Sequence, residues 1–283
     1  MEAYYADTII TEEEVLKESY LLVENGKIIG FKDQIKDIIP VNSFKDSIIA
    51  PGLIDIHTHG ALDYEPGFGT KDKLKDWCNF KIEHGVTGFL PTTTSISLEK
   101  LKKAAHNIKS TMNQDRLNIL GMHMEGPFFS KGKKVGAQNP DQVRDDFSRE
   151  FKRFIQENNN IIRYLALDPL VADSEDIVNC CVEEGIKVAA GHSEIIYEDF
   201  LEKKCQGYSS ITHTFNGMVG LHHRQPGLAY AGCMDQDLFA EIICDGFHIS
   251  YSMLELFFKL KSGDKTILIT DSMLATGMSA GTS

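Results

Sequence analysis

The sequence has no long hydrophobic run, no excess of basic residues and no paired cysteine spacing, and each absence removes a class of protein. No apolar stretch approaches the ~18–20 residues that a membrane-spanning helix needs, so no membrane partner is expected. Lys and Arg number 29 against 41 Asp and Glu, for a net charge of -12. Binding a nucleic-acid backbone calls for the opposite balance, so no nucleic-acid partner is expected either. A small anionic ligand stays compatible with this charge, provided that the cations holding it are local. The six cysteines show no C-x-x-C spacing and read as reduced thiols of a cytoplasmic protein, not as a zinc site or a disulfide framework. The opening residues, Met1 to Asp7, lack a basic segment followed by an apolar one, and no leader is expected. There is no internal repeat, and no Gly-rich nucleotide loop follows an early strand, which argues against an open dinucleotide-binding sheet.

What is present falls into two parts. Residues 1–50 carry short β-type runs, such as Tyr20-Leu21-Leu22-Val23 and Lys27-Ile28-Ile29-Gly30-Phe31, punctuated by the hairpin signal Asn25-Gly26. From residue 51 to 283 apolar strands alternate with amphipathic helices. Strands are expected to begin near Leu53, Val86, Leu117, Ile161, Ile186, Ser209, Leu238 and Thr266, with helices over 71–84, 97–110, 147–157, 173–184, 196–206 and 250–261. Eight such strands in series favour an α/β fold, a closed (β/α)8 TIM-type barrel of 51–283, preceded by a small β domain. Only a short stretch follows the eighth strand, so the barrel is expected to lack its last helix.

Reacting groups in such a barrel sit at the C-terminal ends of strands. Those ends are rich in His, Asp and Glu here: His57-Thr58-His59, His123-Met124-Glu125, Gly191-His192, Thr212-His213, Asp245-Gly246-Phe247-His248 and Thr270-Asp271. His57 and His59 are two apart on a strand and therefore share a face. Either His192 or His213 taken alone would suit a satisfied core position. With Glu125, these strand-end residues meeting at one barrel mouth make an open metal site. Asp271, at the end of the last strand, is suited to take a proton from a metal-activated water and return it to a leaving amine.

These segments carry a resemblance. Pro51-Gly52-Leu53-Ile54-Asp55-Ile56-His57-Thr58-His59-Gly60 resembles the first-strand motif of the amidohydrolase superfamily. His123 to Phe128, Gly191-His192-Ser193, Thr212 to Met218, His222 to Gly227, Asp245 to His248 and Thr270 to Met273 are together similar to the N-acetylglucosamine-6-phosphate deacetylase family, in that family's order. The resemblance implies a β-sandwich domain, of which residues 1–50 would supply only the N-terminal part. It implies Glu125, His192 and His213 as ligands of a divalent metal, zinc above all, with iron or another ion an alternative. His57 and His59 would serve a second ion, so that one or two metals remain open. It implies Asp271 as general acid/base. Arg224 and His248, with main-chain groups near Asn216 and Gly217, would grip a sugar phosphate, and Arg224 would do so in the neighbouring subunit of a homodimer. Gln138 stands where some members carry a histidine that contacts the substrate carbonyl.

The implied reaction is hydrolysis of the acetamide of N-acetylglucosamine 6-phosphate. An N-acetylgalactosamine 6-phosphate deacetylase would share every motif. A cyclic-amide hydrolase is disfavoured, because many binuclear members use a strand-4 lysine and residues 161–168 hold none. A non-catalytic scaffold should have lost a ligand or the acid/base, and all are present.

Overall fold

The computed structural model describes residues 1–36, 38–112, 114 and 118–281. The expected strand start at Leu117 lies outside the described residues, as do Thr282 and Ser283 at the expected end of the barrel domain. The chain divides into two compact units, Met1–Leu53 and Ile54–Ser283.

The first unit is a four-stranded sheet in the order β3-β2-β1-β4, formed by β1 (Glu2–Ile10), β2 (Val15–Glu24), β3 (Lys27–Lys32) and β4 (Val41–Ile49). β1 pairs antiparallel with β2 and parallel with β4. Asn25 and Gly26 join β2 to β3 with φ of 51° and 72°, the positive values that a two-residue primed hairpin turn requires. Sequence reading did not single out β1. Its buried Ala3, Ala6 and Ile9 recur every third residue, so it lacks the two-residue alternation that marks a strand; a register shift between Ala6 and Thr8 accounts for the second interval.

The second unit holds eight strands paired in sequence order: β5 (Leu53–Thr58), β6 (Val86–Thr93), β7 (Met122–Glu125), β8 (Ile162–Leu167), β9 (Lys187–Ala190), β10 (Tyr208–Ile211), β11 (Phe239–Ile243) and β12 (Thr266–Ile269). Every recorded pairing among them is parallel. Helices α1 (Lys71–Glu83), α2 (Leu98–Met112), α3 (Arg149–Glu157), α4 (Ser174–Glu183), α5 (Tyr197–Lys204), α6 (Leu228–Met234) and α7 (Tyr251–Leu260) alternate with the strands. This is the expected (β/α)8 barrel. The seven-residue α6 went unread because it is too short to show a helical period. Among the described residues no helix is long and apolar enough to cross a membrane.

The apolar core lies between strands and helices, where Trp77, Leu101, Ile108, Met122, Met124, Ile155, Leu165 and Phe200 are buried together. Alternation along each strand turns the intervening residues to the barrel interior. There the filling is mixed: His123, Ser210 and Glu241 are buried, and so are Leu90, Tyr164, Ala166 and Ala189. The first and last strands are tied beyond their regular pairing. Asp271 N–H donates to His57 O at 2.9 Å, and the His59 and Gly60 N–H groups both donate to Ser272 O. Beneath them the buried Asp55 carboxylate accepts from Thr270 Oγ1 at 2.6 Å and from Lys81 Nζ of α1 at 2.7 Å. The Thr270–Asp55 hydrogen bond crosses the closing seam of the barrel, and Lys81 supplies the buried cation beside that carboxylate.

Candidate metal centre

Glu125 is the last residue of β7, while His192, His213 and Asp271 each stand two residues past the ends of β9, β10 and β12. His192, His213 and Asp271 all have positive φ, of 47°, 21° and 49°. Non-glycine residues rarely adopt this conformation, and it persists where surrounding structure enforces it. Here it turns three side chains off their strands and over the barrel mouth. Gly191 makes room beside His192, since a Cβ there would stand 1.9 Å from Thr212 Cγ2.

The side chains converge. Glu125 Oε1 lies 2.9 Å from His192 Nε2, 3.0 Å from His213 Nε2 and 3.4 Å from His57 Nε2. Glu125 Oε2 lies 3.3 Å from His59 Nε2. Asp271 Oδ1 is 3.2 Å from His59 Nε2 and 3.6 Å from His57 Nε2. Two donor groups result, Glu125 with His192 and His213, and Glu125 with His57 and His59. A four-coordinate divalent ion with ligands at about 2.0–2.2 Å sets them roughly 3–3.5 Å apart, and the observed spacings lie near that range. Imidazole and carboxylate are also the donor types that such ions take. The residues fit the metal.

The imidazoles are oriented as ligands should be. The outer nitrogens of three rings are engaged: His57 Nδ1 with Glu241 Oε2 at 2.8 Å, His59 Nδ1 with Thr92 O at 3.2 Å, and His192 Nδ1 with Lys134 O at 2.9 Å. Each acceptor requires a proton on Nδ1, which leaves an Nε2 lone pair facing the centre.

Electrostatics agree with a site that favours positive charge. Burial alone would lower the His57 pKa, but the charges of Asp271, Glu241 and Glu125 outweigh it and hold it well above the usual value. Burial likewise opposes charge on His59, and hydrogen bonds to Asp271 and Glu125 still raise it to about 9. Burial would raise Glu125 and Asp271, yet the surrounding imidazoles pull both below the ordinary carboxylate range.

The remaining expected residues are distributed differently. Gln138 is buried beside the centre; it accepts from the Ser95 N–H at 2.6 Å and donates to Glu125 Oε2. Its amide thus meets Glu125 of the donor cluster. Asn216 and Gly217 form the turn after His213, with Asn216 N–H donating to His213 O at 2.9 Å. Gly217 has a φ of 59°, and a Cβ on it would come within 2.9 Å of His192 Nδ1. Arg224 is exposed between β10 and α6, lining a cavity of about 690 Å³ with Tyr197, His222, His223 and Tyr230. His248 is exposed, with its Nδ1 held by Asp245 at 2.7 Å. Neither Arg224 nor His248 makes a recorded contact with the metal cluster.

Sequence reading missed two buried carboxylates. Asp55 and Glu241 each interrupt an apolar strand, in Leu53-Ile54-Asp55-Ile56 and Phe239-Ala240-Glu241-Ile242. An isolated acid in such a run signals a buried partner, but the partners (Lys81 on a helix, His57 on a distant strand) are visible only once the barrel closes.

Residues 48–276 match the amidohydrolase family. The chain is 32% identical over 264 residues to the N-acetylglucosamine-6-phosphate deacetylase of Vibrio furnissii, covering 91% of this chain and 65% of that protein. It is 29% identical over 280 residues to the N-acetylgalactosamine-6-phosphate deacetylase of Escherichia coli O157:H7, covering 98% of this chain and 72% of the relative. Among solved structures, the N-acetylglucosamine-6-phosphate deacetylase of Thermotoga maritima superposes with a TM-score of 0.83 at 30% identity, over all of this chain and 73% of that one.

Proposed function

We propose, from the premise that this chain belongs to the amidohydrolase family, that it is a metal-dependent deacetylase of N-acetylglucosamine 6-phosphate, releasing acetate and glucosamine 6-phosphate. The observation that carries this reading is the convergence of Glu125, His192 and His213 with Asp271 Oδ1 within 3.2 Å of a neighbouring histidine at the same mouth. The names of the relatives support the substrate class.

Glu125, His192 and His213 would hold a divalent ion, zinc by donor type, and His57, His59 and Glu125 would hold a second. A divalent ion bound there supplies Lewis acidity and lowers the pKa of a coordinated water. Asp271 accepts the proton of the attacking water and carries it to the departing nitrogen, so one carboxylate serves as base and then acid. Arg224 and His248, with main-chain groups near Asn216 and Gly217, bind the remote phosphate, and that binding energy positions the amide for attack. The exposed Arg224 serves the site of a second copy in a homodimer. A protein with six free cysteines fits the cytoplasm.

An N-acetylgalactosamine 6-phosphate deacetylase is the second reading, favoured by the E. coli relative. The test is to load the protein with zinc and follow acetate release from both sugar phosphates and from unphosphorylated N-acetylglucosamine. Turnover of N-acetylglucosamine 6-phosphate well above the other two supports the first reading. Preference for the galactose isomer moves the assignment to the second. Equal rates with and without phosphate overturn both.

A further inference from the structure

Of the ring nitrogens facing away from the centre, three have acceptors, and two of these are neutral main-chain carbonyls. Only His57 has a charged one among the described residues, the carboxylate of Glu241. Glu241 is fully buried on β11, in the barrel interior. Its Oε2 accepts from His57 Nδ1 at 2.8 Å, from Thr212 Oγ1 at 2.9 Å and from the His213 N–H at 3.2 Å. One oxygen therefore ties a side chain of one donor group to the backbone of a residue in the other.

Among the described residues the recorded ion-pair partner of Glu241 is His57, with no Lys or Arg. A buried carboxylate lacking a fixed cation is costly unless positive charge stands nearby. A neutral imidazole contributes none. A cation on the far side of the same ring would supply it. Carboxylate–histidine–metal arrangements of this kind fix the tautomer and raise the basicity of the ligating nitrogen.

The geometry points to Glu241 as a positioning residue: it locks His57 with its proton on Nδ1 and its Nε2 toward Glu125 and His59, and so sets how tightly the ion between them is held. This rests on the metal-dependent reading above and adds a residue that the reading does not use.

The experiment is zinc titration of the metal-free protein in competition with a chromogenic chelator, for the wild type, Glu241→Gln and Glu241→Ala. Gln can still accept from His57 but carries no charge; Ala does neither. The wild type should hold two ions. Glu241→Gln should weaken the second by roughly 10-fold and Glu241→Ala by roughly 100-fold, the range for lost outer partners of metal ligands. The ion at Glu125, His192 and His213 should keep its affinity. Equal retention of the second ion by Glu241→Gln and the wild type overturns the assignment, and so does parallel weakening of both ions, which marks a merely structural role. A wild type holding a single ion overturns it too. A wild type holding none overturns the hydrolase reading itself, so the two failures are distinct. Should neither variant fold, nitrogen-resolved NMR of the metal-loaded wild type decides: a slowly exchanging His57 Nδ1 proton is expected, and a proton on Nε2 instead would refute the tautomer.

Discussion

Gln138 hydrogen-bonds Glu125. Its amide nitrogen donates to Glu125 Oε2, while its oxygen accepts from the Ser95 N–H at 2.6 Å. Gln138, which stands where the family resemblance places a histidine in some members, thus grips the carboxylate shared by both donor groups.

Gln138→Leu removes that donor and strands the Ser95 N–H. Zinc affinity should fall by roughly 10-fold, as for other lost second partners of a metal ligand. Chelator competition measures it. Unchanged affinity with depressed kcat would return Gln138 to the substrate.

Asp271→Asn keeps the shape of the site and removes its proton acceptor. Metal content should match the wild type while kcat falls by about 10²–10⁴-fold, the range for a lost general base. Emission spectroscopy for zinc, alongside steady-state acetate release, separates the two quantities. A variant that turns over normally strips Asp271 of its role.

Arg224→Ala should raise KM for the phosphorylated sugar by about 10- to 100-fold, the equivalent of ~1.5–3 kcal/mol for a hydrogen bond to a charged group. Little change in kcat is expected, because an interaction present equally in ground and transition states is removed. Activity on the unphosphorylated sugar should not move. If it falls equally, Arg224 does not bind phosphate.

Asp55, which accepts from Thr270 across the barrel seam, pairs with Lys81 at 2.7 Å with both side chains buried. Lys81→Met leaves the Asp55 carboxylate buried without its cation and should cost about 3–5 kcal/mol. Urea unfolding of the metal-free protein reads this directly. A loss under ~1 kcal/mol would show that Thr270 and main-chain donors suffice for Asp55, close to the value of an exposed pair.

Burial depresses the Lys261 pKa from its usual 10.5 to about 8, although its Nζ donates to the main-chain oxygens of Asp235 and Leu238. The sign follows from proton counting: between pH 8 and 10.5 the unfolded chain keeps a proton that the folded chain has released. This group's contribution to stability is therefore least favourable below pH 8 and improves as pH rises. A neutral amine can still donate both hydrogen bonds. The wild type should gain stability relative to Lys261→Met from pH 7.5 to pH 9.5, and a relative loss contradicts the buried-amine account.

The barrel and most of its mouth were legible in the sequence because both are written in local pattern. Strand starts at Leu53, Val86 and Thr266 coincide with the structure, and those at Ile161, Ile186, Ser209 and Leu238 fall within one residue. Glu125, His192, His213 and Asp271 were readable because they break apolar runs at strand ends, where barrel chemistry collects. β1 was not readable, since its buried residues fall three apart and show no alternation.

The order of elements and the identity of the strand-end donors follow from the sequence by itself, through periodicities set by neighbours a few positions apart. Which atoms those donors face did not. The turn of three backbones into positive φ, the hydrogen bond of Gln138 to Glu125, and the pairing of Glu241 with His57 across 184 positions depend on distant strands closing into one ring. Local pattern carries no information about registers summed around a barrel, and the tertiary structure alone decided them.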